Sequence, residues 1–170
     1  QLQSFEIARL GIGYVPESRD VFGGLTVQQN LTLGIKPGLA TAASTAAWRD
    51  EDVYQLFPAL RARRHVDAAV LSGGEQQMLA LGRCLMGAPS MVIVDEPTEG
   101  LAPALVQQVA ACLRMLQRRG VAVMLMEQKM AIALSIADRV LVMGHGRIVF
   151  NGTPTQLRGL TALVQEWLQV

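Results

Sequence analysis

The sequence lacks several features that define whole classes of protein. No apolar run approaches the roughly 18 residues that a helix needs to span a bilayer, and the best candidate, 121–126, has the length of a strand. The first ten residues, QLQSFEIARL, contain no apolar segment of the kind found in signal peptides. The net charge is only +1, so there is no electrostatic reason to expect a nucleic-acid ligand. These absences predict a cytoplasmic protein without a membrane span.

Cysteine is also scarce, and its two positions do not have the spacing of metal ligands. Cys84 and Cys112 both lie inside helical patterns, so we expect two buried, free thiols. Hydrophobic residues make up 51% of the 170 residues, enough for one buried core. The mean hydropathy of +0.29 is high for a soluble domain. We therefore expect part of the surface to be covered by further chain or by a partner.

The hydrophobic pattern changes at residue 71. Before it, the pattern predicts a short strand at 12–15, helices at 4–10, 27–33, 48–57 and 58–64, and a small-residue connector at 37–47. After it, the pattern predicts a helix from LSGGEQQ to about 87, helices at 104–118 and 130–137, buried strands in MVIVDE and VAVMLM, and a hairpin of RVLVM and RIVFN. This alternation is typical of an α/β fold with a parallel sheet.

The segment LSGGEQQ, residues 71–77, is the most specific chemical signal in the sequence. Its two glycines stand directly before a helix, where backbone N–H groups are free and a bulky anion can approach closely. The hydroxyl group of Ser72 adds another hydrogen-bond donor. A glycine turn that merely starts a helix is the simpler interpretation, but the complete heptad upstream of a buried strand favours an anion site.

The segment MVIVDEPT, residues 91–98, is the second signal. It places Asp95 and Glu96 at the C-terminal end of a strand, where ligands collect in open α/β sheets. One acid there can hold Mg²⁺ together with phosphate oxygens, and the next can orient or deprotonate an attacking water. Two solvated acids at a strand end are the alternative, which the neighbouring LSGGEQQ disfavours.

Together, LSGGEQQ and VIVDEP resemble the signature and Walker B motifs of the ABC ATPases. GIGYVPESRDVF with LTVQQNL is similar to the family's Q-loop segment, and GRIVFNGTP is similar to the strand pair after its switch region. DEPTEGLAP and the EQ of VMLMEQK resemble the ATP-binding subunits of importers for branched-chain amino acids, urea and related amides. The resemblance implies a P-loop NTPase-like α/β fold, with a helical subdomain at about 30–70 and the signature, Walker B and switch regions at 71–170.

The resemblance also assigns site residues to a shared nucleotide site. Ser72, Gly73, Gly74 and Glu75 would form the signature that binds the γ-phosphate of an ATP held by a partner subunit. The implied cofactors are ATP and Mg²⁺, and two such subunits would enclose two ATP molecules between them.

The resemblance assigns other residues to Mg²⁺ binding and to activation of the attacking water. Asp95 and Glu17 would support Mg²⁺, Glu96 would polarise the attacking water, and Gln128 would stand at the switch position. Most ABC ATPases have Gln where this chain has Glu17 and His where it has Gln128, and both variants occur in the amino-acid importer subfamily. Gln128 can donate a hydrogen bond but cannot become a cation. Ala102 replaces the usual D-loop Asp, which puts communication through that loop in doubt.

One element of the family pattern does not occur among the 170 residues. They contain no G-x-x-x-x-G-K-[ST] sequence, the Walker A loop that cradles nucleotide phosphates. In the family, this loop, its strand and the aromatic residue that stacks on adenine lie upstream. We therefore expect an N-terminally truncated chain that is inactive alone. We also expect it to be poorly stable, because sheet strands would lack a neighbour.

The expected role is to power an ABC importer of branched-chain amino acids. The chain would pair with a second ATPase subunit and with permease subunits at the cytoplasmic face of the inner membrane, and would serve a periplasmic binding protein indirectly. The alternative is a non-catalytic chain that only docks on an intact ATPase subunit, which the missing loop favours. A soluble ABC ATPase of DNA repair or translation is a third interpretation, which the near-neutral charge and the TEGLAP and EQ variants oppose.

Overall fold

The structure, a computed structural model, describes residues 1–36, 48–161 and 166. It consists of two units, and the first contains a three-stranded parallel sheet. The first unit is Gln1–Met126 and the second is Glu127–Val170. The expected connector at 37–47 lies outside the described residues. The proposed subdomain boundary at about 70 remains a prediction.

The first unit contains α1 (Ser4–Arg9), β1 (Ile12–Val15), α2 (Val27–Leu33), α3 (Asp50–Leu56), α4 (Pro58–Ala62), a 3₁₀ turn (Ala68–Val70), α5 (Gly73–Met86), β2 (Met91–Asp95), α6 (Pro103–Arg118) and β3 (Ala122–Met126). The second unit contains α7 (Met130–Ile136), β4 (Val140–Gly144), β5 (Arg147–Gly152) and α8 (Pro154–Arg158). The fold class predicted from the sequence, a parallel sheet flanked by helices, is confirmed. The 3₁₀ turn was not predicted. The N-cap of α1 is Gln3, whose N–H donates to the Glu6 carboxylate at 2.7 Å.

The sheet has the strand order β1–β2–β3, and all neighbours run parallel. Ile12 of β1 lies opposite Met91 of β2, which in turn lies opposite Ala122 of β3. Because the strands are parallel, their carboxyl ends meet at one edge of the sheet. The loop after β1 and the acidic residues after β2 are therefore brought together there.

The prediction of two buried strands is met only in part: β2 alternates buried and partly buried residues, and β3 is more exposed. Val92 and Val94 of β2 are both inaccessible to solvent. In β3, by contrast, Ala122 is exposed and Met124 is 45% exposed. The reason is position: β2 is flanked by a strand on each side, whereas β3 forms an edge of the sheet within the described part of the chain. An apolar edge of this kind readily pairs with other strands.

Helix α5 connects the sheet to the other helices of the first unit. It packs against β1 on one side and against α2, α3 and α4 on the other. The large buried side chains of these elements are Leu31, Val53, Phe57, Leu60, Leu79, Leu81 and Leu85. Since α5 contacts so many elements, the position of its first turn follows from the packing of the whole unit. Among the described helices, none is both long enough and apolar enough to cross a membrane.

The two cysteines are free thiols, as expected, although only Cys112 is buried as a whole residue. Cys112 is 2% exposed, and burial raises its pKa to about 12. Cys84 is partly exposed as a whole residue, but burial of its thiol raises the pKa to about 11, in agreement with the expected buried thiol. Its Sγ atom fills the space beside Gly13 of β1, where a Cβ atom would collide with it.

The second unit is built around the predicted hairpin. β4 and β5 pair antiparallel, and the turn between them places His145 at φ +47° and Gly146 at φ +74°. Two consecutive residues with positive φ are typical of a tight hairpin turn. Leu134, Val142 and Leu157 form the small core of this unit.

A stability prediction follows from Gly82, which lies where α5 packs against α2 and α3. A Cβ atom there would lie 2.6 Å from Val53 Cγ1 and 3.1 Å from Leu31 Cδ2, and both side chains are buried. We expect Gly82→Ala to lower the free energy of unfolding by about 1–3 kcal/mol through overpacking. This is the net change, after the roughly 1 kcal/mol of helix propensity that alanine gains over glycine has been subtracted from the cost of overpacking.

Urea denaturation of the purified protein measures this difference. Gly24→Ala is the control, because no atom lies within 4 Å of a Cβ at that position. Equal stability of Gly82→Ala and the unsubstituted protein would contradict the packing described for α5.

Candidate functional site

Helix α5 begins at Gly73, with Ser72 as its N-cap, at the point where the sequence predicts a helix start. The Ser72 hydroxyl oxygen accepts the Glu75 N–H at 3.3 Å. In return, one oxygen of the Glu75 carboxylate accepts the N–H and the O–H of Ser72, each at 2.8 Å. This reciprocal capping box determines where the helix starts.

The second oxygen of the Glu75 carboxylate is bound from a different helix. Arg63, which follows α4, places its Nε atom 2.8 Å from Glu75 Oε1. Desolvation by burial raises the pKa of Glu75, but the hydrogen bonds from Ser72 and the charge of Arg63 outweigh it and hold the pKa below its ordinary value of 4.5. Glu75 is therefore a carboxylate at neutral pH and can only accept hydrogen bonds.

The two glycines at the start of α5 each lie close to a side chain from another segment. A Cβ atom on Gly74 would collide with the side chain of Leu105 in α6, and a Cβ atom on Gly73 would collide with the guanidinium group of Arg19. Gly73 and Gly74 occupy the first two helical positions, whose N–H groups have no acceptor within the helix. These N–H groups and the helix dipole make the start of α5 suitable for an anion.

An acidic cluster lies at the carboxyl-end edge of the sheet. It consists of Glu17, Glu96 and Glu99, with one carboxylate oxygen from each within 4.8 Å of the others. Glu17 and Glu96 are predicted site residues, whereas Glu99 is not. A group of carboxylate oxygens is the donor set that Mg²⁺ prefers, so the residues present fit that ion.

The backbone at Glu96 has an unusual conformation. Its φ angle is +41°, a left-handed value that is costly for a residue with a side chain, and its N–H donates to the Met126 carbonyl at 3.0 Å. Strained residues of this kind concentrate at functional sites, where the surrounding structure holds them in place. The strain at Glu96 therefore agrees with a functional role for this carboxylate.

Asp95, the other predicted acid of β2, has a different neighbour. Its Oδ2 atom accepts a hydrogen bond from the Tyr14 hydroxyl group at 3.4 Å. Desolvation and the negative charge of Asp95 raise the pKa of Tyr14 above its ordinary value of 10.0. The structure thus groups Glu17 with Glu96 and Glu99, while Asp95 faces Tyr14. The role of Asp95 as a Mg²⁺ ligand remains a prediction.

Gln128, the predicted switch residue, belongs to the second unit. It is exposed in the turn before α7. Its expected role beside Glu96 remains a prediction.

Three residues that shape the site were given no role from the sequence. Asn30 is fully buried; its side chain accepts the Phe22 N–H at 2.9 Å and donates to the Phe22 carbonyl at 3.0 Å, which shapes the loop after Glu17. Arg19 donates to the Glu99 carbonyl at 3.4 Å. The third is Arg63, the partner of Glu75. Only Asn30 carries a signal in the sequence, because it is a polar residue on the apolar face of α2.

The capping box predicts a specific dependence of stability on pH. Because the pKa of Glu75 is lowered in the folded state, its stabilising effect is present above the ordinary value of 4.5 and disappears as the pH falls through the folded value. We expect Glu75→Gln to lower the free energy of unfolding by about 1 kcal/mol at pH 7. The difference from the unsubstituted protein should shrink toward zero at acidic pH.

Urea denaturation over a pH series measures this dependence. Glu51→Gln is the matched control, because Glu51 pairs with Arg61 on the surface and is not part of the capping box of α5. A difference that stays constant down to the lowest pH would contradict the arrangement around Glu75.

Sequence comparisons show which known proteins the chain is similar to. The sequence model of the ABC transporter family matches residues 1–99. The high-affinity branched-chain amino acid transport ATP-binding protein BraG of Pseudomonas aeruginosa is 44% identical over 92% of this chain and 66% of its own length. The probable branched-chain amino acid transport ATP-binding protein LivF of Archaeoglobus fulgidus is 33% identical over 88% of this chain and 62% of its own length. The chain thus spans slightly less than two thirds of these relatives.

A solved structure supports the fold independently. The nucleotide-free ATP-binding cassette of an ABC transporter superposes with a TM-score of 0.73 at 23% identity, over 95% of this chain and 68% of the cassette. The family match covers more than half of the chain and includes the start of α5 and the acidic cluster. The chain belongs to the ABC transporter family.

Proposed function

We propose that the chain is part of the ATP-binding and hydrolysing subunit of an ABC importer for branched-chain amino acids. The observation that carries this proposal is the first turn of α5, where Ser72, Gly73 and Gly74 offer a hydroxyl group and two N–H groups at a helix N-terminus. The substrate class rests on similarity to BraG and LivF, both named for branched-chain amino acid transport.

Ser72, Gly73 and Gly74 would bind the terminal phosphate of an ATP held by a second ATPase subunit. The three donors and the dipole of the 14-residue helix α5 fit a phosphate group. The 170 residues contain no Walker A sequence, so the partner's own loop would hold the other phosphates of that nucleotide.

The acidic edge of the sheet would serve the hydrolysis step. Glu17, with Glu99 near it, would hold Mg²⁺, which neutralises phosphate charge when it is bound, and Asp95 at the end of β2 would support the ion. Glu96 would accept a proton from the attacking water, and Gln128 would donate a hydrogen bond to the phosphate. The left-handed backbone at Glu96 supports its assignment as the catalytic carboxylate.

The loop after β1 would contact the permease subunits at the cytoplasmic face of the membrane. Its Phe22 side chain is 52% exposed and stacks on the Arg83 guanidinium group, whose Cζ atom lies 4.8 Å from the ring centre. Arg83 also donates to the Asp20 carbonyl at 2.7 Å. An aromatic side chain that is exposed yet held in place supports a contact with another protein.

A complementation assay tests the proposal. The partner is an ABC ATPase subunit chosen because its sequence contains a Walker A loop, with the serine and first glycine of its own signature replaced, so that it binds ATP but cannot complete a site by itself. We expect the mixture of this partner and the chain to hydrolyse ATP. Ser72→Ala should reduce that activity about 10- to 100-fold, because a hydrogen bond to a charged group is lost.

Ser135→Ala, an exposed serine in the second unit, is the matched control and should leave the activity unchanged. If the chain binds the partner without restoring hydrolysis, the chain is a non-catalytic docking protein and the proposal is wrong.

A further inference from the structure

The Ser72 hydroxyl group can donate one hydrogen bond, and in this structure it donates that bond to Glu75. The Ser72 O–H donates to Glu75 Oε2 at 2.8 Å, since a carboxylate can only accept. An unprotonated phosphate oxygen is also only an acceptor. Ser72 therefore cannot donate to Glu75 and to a phosphate at the same time. A hydrogen bond from the Ser72 O–H to a phosphate therefore requires the hydroxyl group to rotate away from Glu75.

When the Ser72 hydroxyl group donates to a phosphate, the negative Glu75 carboxylate lies close to the negative phosphate. Glu75 stands at the third helical position of α5, and its side chain is only 15% exposed, so solvent screens its charge weakly. The cation that balances it is Arg63, with Nε 2.8 Å from Glu75 Oε1. The Ser72 N–H donates to the other oxygen, Oε2, at 2.8 Å, and this hydrogen bond does not use the hydroxyl proton.

We propose that Arg63 is a positioning residue for the signature site. This role rests on the proposed function above. In the absence of nucleotide, Arg63 holds Glu75 where it accepts a hydrogen bond from the Ser72 hydroxyl group. When that hydroxyl group donates to a phosphate instead, Arg63 balances the charge of Glu75. Because Arg63 follows α4, the proposal links the helices beside α5 to the phosphate contact through one ion pair.

The test is a double-mutant cycle in the complementation assay with the signature-deficient partner. We expect Arg63→Ala to raise the KM for ATP roughly threefold to fivefold, with kcat changed by less than about twofold. Arg63→Lys, which keeps the charge, should recover part of the loss. In the Glu75→Gln background, Arg63→Ala should have no further effect on KM, because no carboxylate remains to be positioned or balanced.

Two further readouts separate positioning from a general structural role. The pKa of Glu75, followed by NMR, should rise in Arg63→Ala. Arg61→Ala is the matched control, because Arg61 belongs to α4 and pairs with Glu51 away from the signature. It should change neither the KM nor the pKa of Glu75.

An equal effect of Arg63→Ala with and without Glu75→Gln, an unchanged KM, or the same effect from Arg61→Ala would overturn the proposal. If the unsubstituted chain restores no hydrolysis, the proposed function itself fails and the role of Arg63 fails with it. Restored hydrolysis with an unchanged KM for Arg63→Ala contradicts only the role of Arg63.

Discussion

The capping box between Ser72 and Glu75 is the interaction on which the rest of the site depends. It sets the start of α5 and so decides that Gly73 and Gly74 are the residues at the helix N-terminus with unused N–H groups. A start one residue later would put the charged side chain of Glu75 at one of these two positions. Both oxygens of the Glu75 carboxylate are bound, one by Ser72 and the other by Arg63, which follows the neighbouring helix α4.

The parallel sheet provides the second part of the site by bringing two strand ends together. The loop after β1 contributes Glu17, and the residues after β2 contribute Glu96 and Glu99. Positive φ angles occur at Arg19, Asp20 and Glu96, each at a cost of roughly 1–3 kcal/mol. The surrounding hydrogen bonds hold them in place: Asn30 fixes the first loop, and the Met126 carbonyl accepts the N–H of Glu96. These residues with positive φ angles and the acidic cluster therefore lie at the same edge of the sheet.

Much of this architecture could be predicted from the sequence, because periodicity and caps are local properties. The apolar run 91–94 and the cap Thr26 identify their elements directly. What could not be predicted depends on contacts between distant segments. The ion pair of Arg63 with Glu75 looks like ordinary surface charge in the sequence, and the exposure of β3 depends on its place in the sheet rather than on its apolar residues.

The proposed site requires the first turn of α5 to contact a nucleotide held by another subunit. Sedimentation of the chain, mixed with an ABC ATPase subunit that binds ATP but cannot hydrolyse it, measures this contact. A complex of one chain and one partner should form when ATP is added and dissociate when ATP is removed. A complex of equal strength with and without ATP, or no complex at all, would contradict the proposed contact.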